Sequence, residues 1–241
     1  MAEALLELEG VHTHIGRYHI LQGVDLRVPE GQVTMLLGRN GAGKSTTLRT
    51  VMGLWRASGG RVRFGGDEIT GRPTPDIARL GIAYVPEQMG IFGNLSVKEN
   101  MVLAARAGEP DDARLKWIFG LFPALRQFWL KSAGTLSGGQ KQMLAIARAM
   151  IEPRRLIVVD EPSKGLAPAI VDRLADAFRE LKAARTTLLM VEQNVALARA
   201  VGDTAAVMAD GRVVHSGAMG DLAADEALLT GLLGLSLDSP S

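Results

Sequence analysis

Short runs of aliphatic and β-branched residues recur along the chain, each closed by Gly, Pro or Asp and separated by stretches with helical spacing. Gln32–Leu37 reads as a strand running into a glycine-rich turn, and Lys44–Met52 as the helix that leaves it. Ile82–Val85, Leu156–Val159 and Thr187–Val191 are further strand candidates. They lack the apolar–polar alternation of a one-sided sheet, as expected where both faces are covered. Strands alternating with helices predict an α/β fold. The opening segments Leu5–Val11 and Val24–Val28, with Arg61–Phe64 after Gly59 and Gly60, predict a smaller, mostly antiparallel sheet beside it. Between Ser96 and Met150 the strand pattern gives way to helical spacing, with Trp117, Leu121 and Leu125 on one face. That stretch predicts a helical subdomain inserted into the α/β core. A hairpin is expected at Ala206–Met208 and Arg212–His215 around Asp210 and Gly211, then a helix near Leu222–Leu233, with Ser236–Ser241 fraying. The expected organisation is one domain: a core over about 5–95 and 151–215, a helical subdomain over about 96–150, and a C-terminal helix and tail over 216–241.

Composition narrows what such a fold can do. With 241 residues, 47% of them hydrophobic, the chain can bury one substantial core with a smaller subdomain. The 27 Lys and Arg nearly cancel the 26 Asp and Glu, so no net field draws the chain onto nucleic acid, and no nucleic-acid partner is expected. The absence of cysteine excludes disulfides and thiolate metal sites. Met1–Gly10 carries Glu3, Glu7 and Glu9 and lacks the basic start and apolar core of an export signal. The longest apolar runs fall far short of the roughly 20 residues that span a bilayer. A role at a membrane would therefore come through a partner.

Three motifs carry chemistry. Gly38-Arg39-Asn40-Gly41-Ala42-Gly43-Lys44-Ser45, followed by Thr46, matches the phosphate-binding loop pattern and lies between a predicted strand and a predicted helix. Its glycines let successive N–H groups turn inward on phosphates, and the helix adds its positive end. Lys44 is placed to bridge the outer phosphates, and the Ser45 hydroxyl to sit on Mg2+. Kinases, GTPases and motors all share this loop, so alone it leaves the function open. Arg155–Pro162 is a buried strand ending in two carboxylates. Ligands of open α/β sheets sit at the carboxyl ends of the strands, which puts Asp160 near the metal and makes Glu161 the general base. Leu136-Ser137-Gly138-Gly139-Gln140 precedes a helix and offers a second helix tip for an anion, or simply a serine cap. A nucleotide held by its own loop needs no second cradle in cis, so the economical user of that tip is a partner subunit.

Leu136–Gln140, between the phosphate loop and the acidic strand, resembles the signature motif of ABC ATPases, and the resemblance runs from about Leu5 to Leu233. It implies a P-loop NTPase core of RecA-like type with an antiparallel β subdomain and an inserted helical signature subdomain. It also implies ATP and Mg2+ as cofactors, and two ATPase subunits that sandwich ATP between Lys44 of one and Ser137, Gly138, Gly139 and Gln140 of the other. Gly38–Lys44, Val85-Pro86-Glu87, Glu161–Pro168 and Val191–Asn194 are similar to the second ATPase of branched-chain amino acid importers, with urea and amide importers close behind. Expected partners are then a second ATPase subunit, identical or related, transmembrane permease subunits and a separate substrate-binding protein. The expected location is the cytoplasmic face of the cell membrane. Ile91, Phe92, Leu95 and Val97 would form the groove for a permease helix. A soluble ABC protein is disfavoured by the lack of a second phosphate loop or long coiled coil, and a GTPase by the lack of a guanine-reading Asn-Lys-x-Asp.

Against the general family pattern, Glu87, with Gln88 beside it, stands where a metal-side glutamine is usual, and Gln193 replaces the switch histidine. Glutamine donates a hydrogen bond but does not titrate near neutrality. Lys164 occupies a position where the subgroup usually has an apolar residue. The adenine-stacking aromatic is replaced by Ile15, with Tyr18 as the other candidate. Loss of the stacking ring predicts weak discrimination between bases: GTP should be hydrolysed at a rate comparable to ATP in a coupled phosphate-release assay, and a far slower GTP rate would contradict it.

Overall fold

The computed structural model describes residues 3–106 and 108–233. The chain opens as an antiparallel hairpin, β1 (Ala4–Ile15) and β2 (Tyr18–Pro29), then runs through β3 (Val33–Gly38) into α1 (Lys44–Val51). β4 (Ala57–Phe64) and β5 (Asp67–Glu68) return to the hairpin and give a four-stranded sheet of order β2-β1-β4-β5. After α2 (Thr74–Arg79) and β6 (Ile82–Val85) come four consecutive helices, α3 (Val97–Ala104), α4 (Asp112–Leu121), α5 (Pro123–Gln127) and α6 (Gly138–Met150). A 3-10 turn at Ala133–Thr135 precedes the last of them. β7 (Leu156–Asp160), α7 (Pro168–Ala183), β8 (Thr187–Val191), α8 (Val195–Val201) and β9 (Thr204–Ala209) alternate strand with helix. β10 (Arg212–Ala218), α9 (Met219–Ala224) and α10 (Glu226–Leu233) close the described chain.

The second sheet has six strands in the order β10-β9-β3-β8-β7-β6, with only β10 antiparallel to its neighbour. Side chains alternate across its plane. Met35, Ile157, Val159, Leu188, Met190 and Val207 enter one core, which α3–α8 cover. Leu36, Leu156, Val158, Leu189, Val191 and Met208 enter another, shared with α1, α2 and the antiparallel sheet. Both faces being covered, every residue of β3, β7 and β8 is buried.

The α/β core, the antiparallel sheet, the helical stretch and the hairpin around Asp210 and Gly211 thus form where the sequence pattern puts them. Two expectations change. Trp117, Leu121 and Leu125 do not share the buried face of one helix, because the chain breaks at Phe122–Pro123, where the proline ring cannot continue a helix begun before it. The buried set is Ile118, Phe122 and Leu125, while Trp117 is only partly covered and carries the Arg114 guanidinium 4.4 Å from its ring centroid. The single helix expected near Leu222–Leu233 is two, because Asp225 caps a new one, its Oδ1 accepting from Leu228 N at 2.8 Å. Ser236–Ser241 lies outside the described residues. Among the described residues no helix is long and apolar enough to cross a membrane.

Candidate functional site

Parallel pairing delivers β3, β7 and β8 to one edge of the sheet. Leu36 of β3 and Asp160 of β7 both register with Val191 of β8, so the residues that follow, Gly38–Ser45, Glu161 and Glu192–Asn194, emerge together. Three glycines shape the first loop through positive φ: +143° at Gly38, +82° at Gly41 and +103° at Gly43. At Gly38 the Met208 carbonyl also leaves no room for a Cβ. The back of the loop is tied down by Gly211 N, which donates to Ala42 O at 3.0 Å, and by Thr47 Oγ1, which donates to Gly43 O at 3.0 Å.

Lys44 is buried, and its Nζ donates to Gly38 O at 2.8 Å and Arg39 O at 2.9 Å. It stands 3.9 Å from Glu161 Oε1. Burial pulls its pKa down, opposed by the charges of Glu161 and Asp160. Ser45 Oγ donates to Asp160 Oδ1 at 2.8 Å, and Tyr84 from β6 reaches Oδ2 at 3.4 Å. Asp160 is fully buried, and burial pushes its carboxyl pKa up. Burial together with the Asp160 charge raises the Tyr84 phenol to about 12. A serine hydroxyl beside one buried carboxylate is the hard-oxygen donor set by which Mg2+ is held along with substrate phosphates, and a cation there would relieve the buried charge. The residues therefore fit the metal. Among the described residues no cluster of three or more His, Cys, Asp or Glu could hold an ion without such phosphates.

Glu161 has φ of +46°, a conformation rarely adopted by a residue with a Cβ, fixed by its N–H donating to Val191 O at 3.0 Å. Gln193 Nε2 donates to Glu161 Oε1 at 2.7 Å and to Asn40 Oδ1 at 2.8 Å, bridging the carboxylate to the glycine loop. Glu87 follows β6, half-buried, and accepts from Lys164 Nζ at 2.5 Å; Gln88 beside it is exposed.

Motif and spacing assign no role to Glu192, Thr47 or Tyr84. Glu192 is buried, and its two oxygens accept from Ser163 N and Oγ at 2.9 Å each and from Gln193 N and Asn194 N at 3.1 Å each. Burial raises its pKa and these donors oppose the rise. Its acidic side chain inside an apolar strand ending was the available signal.

Other predicted residues stand apart from this cluster. Ser137 caps α6, accepting from Gln140 N at 3.3 Å while Gln140 Oε1 accepts from Ser137 N at 2.9 Å. Ser137 and Gly138 are exposed, and a Cβ on Gly139 would press on Ile170 of α7 at 3.0 Å. Ile15 is half-buried at the tip of the β1–β2 hairpin, opposite the exposed Tyr18. Of the expected groove residues, Val97 is fully buried in the core, anchoring α3, and Ile91 packs against that core. Phe92 is exposed, with the Arg148 guanidinium 5.3 Å from its ring centroid, near an open depression of about 330 Å3.

A glycine loop opening a helix, with a buried serine–aspartate pair and a carboxylate–glutamine pair at the same sheet edge, defines a P-loop nucleotide-binding cassette. Residues 21–164 match the model of the ABC transporter family. The chain is 39% identical, over 87% of its length and 91% of the relative's, to the high-affinity branched-chain amino acid transport ATP-binding protein BraG of Pseudomonas aeruginosa. It is 38% identical to the probable branched-chain amino acid transport ATP-binding protein LivF of Archaeoglobus fulgidus, over 85% of this chain and 88% of that one. A crystal structure of a nucleotide-free ATP-binding cassette from an ABC transporter superposes with a TM-score of 0.80 at 27% identity, covering 94% of this chain and 98% of that chain. The chain belongs to the ABC transporter ATP-binding family.

Two measurements probe the buried charges. Because burial lifts the Asp160 pKa above its ordinary 3.8, the folded chain binds that proton more tightly than the unfolded one. Stability from this group is therefore present below the unfolded value and is lost as pH rises through the raised folded value. Asp160→Asn should then raise the melting temperature of the nucleotide-free protein at pH 7, by about 2–4 °C per kcal/mol relieved. A melting point at or below wild type refutes the burial cost. Glu192→Ala, which strips the acceptor from four donors, should lower unfolding free energy in a urea titration by at least about 3 kcal/mol; a loss under about 1 kcal/mol would deny Glu192 that organising role.

Proposed function

We propose that this chain is the ATP-binding and ATP-hydrolysing subunit that energises an ABC importer, with branched-chain amino acids as its cargo and the cytoplasmic face of the cell membrane as its place of work. The single observation that supports hydrolysis best is the meeting of Lys44 and Glu161, brought from beyond the ends of two different strands to 3.9 Å at the mouth of the glycine loop. The cargo reading rests on the branched-chain amino acid transport named for the relatives; urea or amide uptake is the other reading the motifs allow.

In this reading Gly38–Thr46 wraps the phosphates, with Lys44 leaving the loop carbonyls for the outer phosphates and Ile15 lying against the base. Ser45 and Asp160, with Glu87 nearby, would hold Mg2+, which when bound would neutralise charge on the phosphate oxygens. Glu161 takes the proton of the attacking water, and Gln193 orients both through its amide. The γ-phosphate of each nucleotide also meets Ser137, Gly138, Gly139 and Gln140 of a second ATPase subunit, so cleavage loosens the pair and the permease follows through the surface around Phe92. A separate binding protein selects the solute.

Glu161→Gln removes the base and keeps the Gln193 contact, so steady-state ATP turnover should fall at least about 100-fold while nucleotide binding persists. With its mate present, this variant should sediment as a dimer in Mg-ATP. Turnover within a fewfold of wild type would remove Glu161 from the reaction, and a monomer at saturating Mg-ATP would remove the sandwich.

A further inference from the structure

The loop after β7 carries an ammonium group directly over the site. Its backbone is pinned: Lys164 N donates to Glu161 O at 3.3 Å, and the preceding Ser163 is gripped through N and Oγ by the buried Glu192. From that fixed Cα the side chain reaches back across two strand ends. Lys164 Nζ donates to Glu87 Oε1 at 2.5 Å and stands 3.5 Å from Glu161 Oε2. The other Glu161 oxygen, Oε1, is already engaged by Gln193 Nε2. Both oxygens of that carboxylate thus face protein donors. An apolar side chain at 164 could make neither ion pair.

We propose that Lys164 is a positioning residue that clasps Glu87 and Glu161 in the metal-free site and yields when the metal–nucleotide complex loads, so that it sets how strongly ATP binding depends on Mg2+. The proposal rests on the roles given above to Glu87 and Glu161. Without a cation, two free carboxylates at the mouth of the loop repel a triphosphate, and the ammonium screens them. With a cation, the same ammonium competes for Glu87. The Lys164 side chain is 57% exposed, so the clasp is weak enough to open in each cycle.

Equilibrium binding of a fluorescent ATP analogue to the purified full chain tests this, measured in EDTA and across a Mg2+ titration for wild type, Lys164→Met and Lys164→Arg. In Lys164→Met, metal-free affinity should fall about two- to fivefold, and the Mg2+ concentration for half-maximal binding should fall by a similar factor. Lys164→Arg keeps the charge and should stay near wild type in both. No change in Lys164→Met, or weaker binding in EDTA and in Mg2+ alike, as a packing defect would give, overturns the clasp. If wild type fails to bind the analogue at saturating Mg2+, the nucleotide reading falls, and the clasp with it.

Discussion

The parallel register of β3, β8 and β7 is the constraint on which the site depends. Successive side chains on a strand point to opposite faces, so a slip of one residue would turn Asp160 from the phosphate loop toward the other face and send Val159 in its place. What prevents the slip is apolar matching on both faces at once: Ile157, Val159, Leu188 and Met190 on one side, Leu156, Val158, Leu189 and Val191 on the other. Moving either set would expose or misalign the other. The buried core therefore does more than hold the chain together, because it fixes the position of every charged group at the sheet edge.

Those charged groups are costly to bury and are arranged to offset one another. Lys44, Asp160, Glu161 and Glu192 are all buried. Glu192 is satisfied internally by four donors and stays with the fold. Asp160 accepts from a serine and a distant phenol and feels the Arg49 charge, yet burial still raises its pKa, a cost that a cation beside it would relieve. Lys44 is held by loop carbonyls, neutral partners that an incoming phosphate can replace. One carboxylate is thus satisfied within the fold, while Lys44 and Asp160 keep neutral partners that a ligand could replace.

Much of this was legible in the sequence because the signals were local. Gly38–Ser45 needs positive φ at fixed spacing, which glycine alone supplies cheaply, and Leu156–Asp160 is a run of apolar residues closed by carboxylates. The strands and the inserted helices followed from periodicity for the same reason. The break at Phe122 was also written locally, in Pro123, but the apolar spacing on either side suggested continuity. Lys164 and Glu192 were less accessible: nothing near either residue in the chain specifies Glu87 or Ser163, and such pairings exist only once the strands align. The ligand roles of Ile15 and of Ser137–Gln140 depend on molecules outside this chain.

The helix tip at Ser137 has a polarity with one further outcome. Its oxygen already receives the Gln140 N–H, and the Gln140 carbonyl is turned inward on the Ser137 amide. What remains for any newcomer is mostly donors, a hydroxyl hydrogen and glycine N–H groups, beside one further lone pair on the serine oxygen. On the proposed function, the tip would meet a phosphate with donors that carry no formal charge. A phosphate departing from such a tip would strand no charged side chain among Ser137–Gln140, so that two surfaces joined there could part and rejoin readily.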